Sequence, residues 1–81
     1  MEGRDISTPK GKIVREYIGL LGQEKFSINS IAVIMNVGYY TAKGMLQYIR
    51  KQYNCVKQEF DGYQFKYWIE KEVARGLLKN D

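Results

Sequence analysis

The chain has 81 residues, with 13 Lys and Arg against 9 Asp and Glu for a net charge of +4, and it contains no histidine. That length builds one domain around one small core, which excludes two-lobed folds and deep enclosed substrate sites. With no His and a single cysteine, Cys55, no disulfide can close within the chain and no Cys-rich zinc site can form, so catalysis, a metal and a cofactor are not expected.

Residues 1–7 show no apolar periodicity and read as a loose tail. Thr8-Pro9 reads as a helix start, a hydroxyl cap followed by proline at the first helical position. Ile13, Val14, Tyr17, Ile18 and Leu21 follow at helical spacing, and Gly22 is placed to end the helix. Lys25-Phe26 is a connector or a very short strand. Ser27 caps a short helix through about Met35, carrying Ile28, Ile31, Ala32, Ile34 and Met35. Asn36-Val37-Gly38 breaks that helix. A third helix runs from Tyr39 to Tyr53, with Ala42, Met45, Leu46 and Ile49 as its apolar stripe.

After Asn54 the period becomes alternating. Residues 55–60 are expected to pair with residues 63–68 across Asp61-Gly62, a strong hairpin signal because both turn residues tolerate positive φ. Residues 69–79 return to helical spacing, with Ile69, Val73 and Leu77 in one stripe. A lone hairpin is not stable in water, so it must dock on the helices. The expected fold is α+β and mostly helical: a single domain over residues 8–81 with three helices, a hairpin and an extra C-terminal helix.

The charge is unevenly spread. Residues 25–58 contain Lys25, Lys43, Arg50, Lys51 and Lys57 and no acid, while the segments on either side are close to neutral. An acid-free stretch suits a surface that meets a polyanion, since each carboxylate there would repel it. The N-terminus carries no apolar stretch of signal-peptide type, and no apolar run approaches the ~20 residues of a membrane span. A lone cysteine fits a reducing compartment. A cytoplasmic protein without a membrane partner is expected, nucleoid-associated or within a host cell.

Ser27-Ile28-Asn29-Ser30-Ile31-Ala32 resembles the first helix of a helix-turn-helix, and Val37 to Lys43 is similar to the turn and the start of a recognition helix. With the hairpin placed directly after them, residues 9–68 resemble the winged helix-turn-helix family of DNA-binding domains, of the small stand-alone regulator type. Residues 27–53 correspond to the helix-turn-helix and 55–68 to the wing. Two positions depart from the family pattern: Asn36 stands where Gly is common, and Ser30 where the cap's Glu partner is usual.

The resemblance implies a sequence-specific reader of double-stranded DNA, a transcriptional regulator acting as a homodimer. The third helix would lie in the major groove, presenting Tyr39, Tyr40, Thr41, Lys43, Gly44 and Gln47. Lys43 suits guanine and Gln47 suits adenine, while Gly44 permits close approach. One of the two tyrosines is expected to pack inward. Arg50 and Lys51 either touch phosphate or complement the helix dipole. Lys57 and Lys66, with Gln64 and Tyr63, either reach the flanking backbone or minor groove or keep the hairpin soluble. Ile69, Val73 and Leu77 are the dimerisation stripe, unless the last helix folds back on its own core. A plasmid-partition or architectural DNA-coating protein, an RNA binder, and a protein-interaction module in a larger assembly remain rival readings.

Overall fold

A computed structural model describes residues 11–79. Its elements run α1 (Lys12–Leu21), α2 (Ile28–Met35), α3 (Tyr39–Tyr53), β1 (Val56–Phe60), β2 (Phe65–Ile69) and α4 (Lys71–Lys79). The fold is α+β and mostly helical, as the period changes predict. The Thr8-Pro9 helix start and the 1–7 tail lie outside the described residues.

Local chemistry accounts for the helix ends. The buried Ser27 hydroxyl accepts the Ser30 N–H at 3.2 Å, capping α2, and donates to Ser30 Oγ at 3.1 Å. Asn36 ends α2 in the left-handed conformation, φ 59°. The Val37 N–H then reaches back to the Ala32 carbonyl at 2.9 Å, closing a Schellman-type cap. Asn54, φ 50°, ends α3 in the same conformation. Asparagine holds it at lower cost than other side-chain-bearing residues.

The hairpin pairs Val56 with Ile69 and Phe60 with Phe65, leaving residues 61–64 as the loop. This corrects the expected two-residue turn. The Asp61 carboxylate accepts the N–H groups of Tyr63 and Gln64, both at 2.9 Å, and the Asp61 N–H meets the Gln64 carbonyl at 3.1 Å. Those bonds draw Tyr63 and Gln64 out of the strand and into the turn. The pairing slips by two residues, so the side chains that stay in the strands keep their expected faces. Phe26 adds one residue of pairing at the other edge of β2, exchanging bonds of 2.9 and 2.7 Å with Tyr67.

The core joins Tyr17, Ile18 and Leu21 of α1, Ile31 of α2, Ala42, Leu46 and Ile49 of α3, and Tyr67 and Ile69 of β2. Helix α2 packs on α3, and α4 packs on α1. The α1–α4 contact is close because Gly22 faces Ala74: a Cβ on Gly22 would stand 2.6 Å from the Ala74 Cβ. Arg15 Nη2 donates to the Leu78 carbonyl at 2.6 Å on the same seam. The three residues of the expected dimerisation stripe do not form one helical face. Ile69 ends β2 and is 1% exposed in the core of its own chain, Leu77 is half-buried against that core, and Val73 alone of the three is exposed.

Candidate nucleic-acid interface

Helix α3 is held from behind by Ala42, Leu46 and Ile49, all buried. Helical geometry then sends the other side of α3 to solvent. Tyr40, Thr41, Gly44, Gln47, Tyr48 and Lys51 are exposed there. Tyr39, Lys43, Gln47 and Arg50 follow at spacings of four and three along one edge. Lys43 is half-buried on that edge, and Arg50 is exposed. A Cβ added to Gly44 would meet nothing within 4 Å. No Asp or Glu occurs in α3, whose last turn carries Arg50 and Lys51. These two cations also suit the negative end of the helix dipole.

The expectation that one of Tyr39 and Tyr40 packs inward is corrected. Tyr40 is 80% and Tyr39 41% exposed, and the rings meet edge to face at 5.2 Å. At the far end of α3, Gln47, Arg50, Lys51, Asn54 and Val56 line an open hollow of about 320 Å³. The sequence-predicted residues Tyr39, Tyr40, Thr41, Lys43, Gly44, Gln47, Arg50 and Lys51 thus share one helix surface.

The hairpin lysines stand on a separate element. Pairing places Lys57 and Lys66 with Glu59 and Trp68 on the face opposite Tyr67 and Ile69. Lys66 Nζ lies 3.9 Å from an Asp61 carboxylate oxygen. Lys25 also goes to this face, 2.7 Å from Glu59 Oε1 and 4.5 Å above the Trp68 ring. One cation of the acid-free block is therefore matched by an acid from outside it. The backbone bonds from Gln64 and Tyr63 hold the Asp61 carboxyl below its ordinary value, with a smaller contribution from Lys66.

Several exposed rings escape a reading built on lysines. Tyr48 is exposed on α3, and Phe60, Tyr63 and Phe65 are exposed at the hairpin end, where Phe60 and Phe65 touch at 5.1 Å. Their alternation looks like strand packing, and only the structure shows them exposed. Burial pushes the Cys55 thiol up, so it stays protonated and unreactive at neutral pH. Among the described residues no cluster of three or more Cys, Asp or Glu is placed to hold a metal ion, and no helix is long and apolar enough to cross a membrane. Compared with known proteins, the chain matches no family model and no curated protein sequence.

Proposed function

We propose that this protein is a winged helix-turn-helix binder of double-stranded DNA, with α3 as the recognition helix and the β1–β2 hairpin as the wing. One observation carries the reading. Helix α3 turns a solvent-facing surface outward that holds Tyr40, Gly44, Gln47 and Lys51, with Lys43 and Arg50 at its edge and no acid on the helix. A B-DNA major groove admits such a helix, and its donors are of the kinds that read base edges. The order of elements, with Phe26 pairing beside β2, agrees with the family arrangement. Lys43 and Gln47 act in base recognition, Tyr39, Tyr40 and Thr41 contact phosphate or thymine, and Arg50, Lys51 and Lys57 supply charge. The role is that of a regulator acting as a homodimer, or of a protein that coats DNA. No catalytic role is assigned.

Titration of random duplex DNA at two salt concentrations tests this. Binding weakens steeply as salt rises, and Lys43→Glu lowers affinity by about tenfold or more. Absent binding at low salt would sink the proposal.

A second reading, a protein-interaction module, draws on Val33, Ile34 and Val37. All three are exposed, in a stretch from Phe26 to Ala42 that holds no charge. It would be favoured if duplex binding were absent and Val33→Asp removed association with a protein partner.

A further inference from the structure

We infer that the aromatic surface running from the start of α3 to the hairpin end is a stacking platform for unpaired nucleobases, so that the preferred ligand is a duplex beside a frayed or single-stranded segment. This rests on the DNA-binding reading above and narrows it to a class of DNA.

Four exposed rings are involved. Tyr40 and Tyr39 meet at 5.2 Å, and Phe65 and Phe60 meet at 5.1 Å. The two pairs are joined by a cleft of about 160 Å³, lined by Tyr39, Phe65 and Tyr67 together with Ser27, Asn29 and Gln64. Phe65 and Tyr67 continue the ring contacts inward at 6.4 Å. The cleft is smaller than the ~300–1,000 Å³ of sites that enclose drug-sized ligands, and it suits one small planar group.

Its chemistry fits a base. Aromatic faces stack on any base, while the side-chain amides of Asn29 and Gln64 offer donors and acceptors to a base edge. No charged side chain lines it. Asp61, the nearby acid at the hairpin tip, is already engaged by two backbone N–H groups. Lys43, one helical turn beyond Tyr39, makes no ion pair among the described residues and can meet the adjoining phosphate. An intact duplex keeps its base faces stacked and offers these rings only base edges and phosphates; a frayed end exposes the faces.

The test compares a blunt duplex with the same duplex carrying splayed oligo-thymine arms, by fluorescence anisotropy at low salt. The fork binds about tenfold tighter or more. Phe65→Leu, and separately Phe60→Leu at a still more exposed ring, remove that preference and leave blunt-duplex affinity unchanged. 2-Aminopurine at the first unpaired position changes its fluorescence on adding the native protein and not on adding Phe65→Leu. Equal affinity for fork and blunt duplex overturns the platform and leaves the duplex reading standing. A preference that survives in both leucine variants overturns it as well. Binding to the single strand alone, as tight as to the fork, keeps the platform and overturns the duplex reading; binding to neither overturns both.

Discussion

Gly22 and Gly44 stand in different surroundings, one at the end of α1 and one inside α3. Gly22 closes α1 where α4 crosses it, and a Cβ there would collide with Ala74 at 2.6 Å. Gly44 lies inside α3, where a Cβ would meet nothing within 4 Å. Packing explains the first glycine completely. It gives no account of the second, which weakens its helix by about 0.5–1 kcal/mol relative to alanine without relieving any contact. Gly76 inside α4 is likewise free of contact, so the open space at Gly44 bears on function only together with the acid-free surface around it. The α1–α4 seam is thus tightly packed at Gly22 and Ala74, whereas the outer face of α3 around Gly44 is open.

That contrast can be broken. Leu46→Ala removes a side chain buried to 1% that holds α3 against the core; it costs about 2–5 kcal/mol, read as a lowered denaturation midpoint, and weakens binding only by depleting folded protein. Gly22→Ala forces α4 away from α1 and costs about 1–3 kcal/mol. A neutral or stabilising result there would erase the distinction between the two glycines. Gly44→Ala has the opposite sign: the melting temperature rises, by about 0.5–1 kcal/mol in stability, while duplex affinity falls because the methyl group blocks close approach. A gain in both would remove the functional explanation of Gly44.

The smallest effect is at the hairpin. The Asp61 carboxyl is lowered by its bonds to the turn, so its contribution to the folded state is present above the ordinary value of about 3.9 and is lost as pH falls through the lower folded value. Amide signals of Tyr63 and Gln64 followed by NMR shift in that acid window and not near neutrality. Asp61→Ala abolishes the shift.

The parts legible in the sequence are those written in short segments. The Ser27 cap, the left-handed Asn36 and the α3 stripe depend on neighbours within about one turn, so residue type and spacing announce them. The hairpin is an intermediate case. Asp61-Gly62 marks the reversal, yet the loop length is decided by which amides the Asp61 carboxylate captures. Long-range placement was not legible. Lys25 looks like one more charge of the basic block until Glu59, 34 residues away, and the Trp68 ring take it to the outer face of the hairpin. Ile69 reads as the first member of a helical stripe, but the strand continues through it and buries it. The surface of α3 was readable because a buried stripe on a helix defines the opposite side, whereas the aromatic group spanning Tyr39 and Phe65 depends on how the hairpin leans over α2.

The most direct measurement is the salt dependence of duplex DNA binding by the native chain. With Lys43, Arg50, Lys51 and Lys57 as the phosphate-facing cations, the logarithm of the binding constant falls linearly with the logarithm of salt concentration, with a slope of about −3 to −4, reduced by about one unit in Lys51→Ala. Affinity that is independent of salt, or a slope that Lys51→Ala leaves unchanged, would contradict the assignment of the α3 face to DNA.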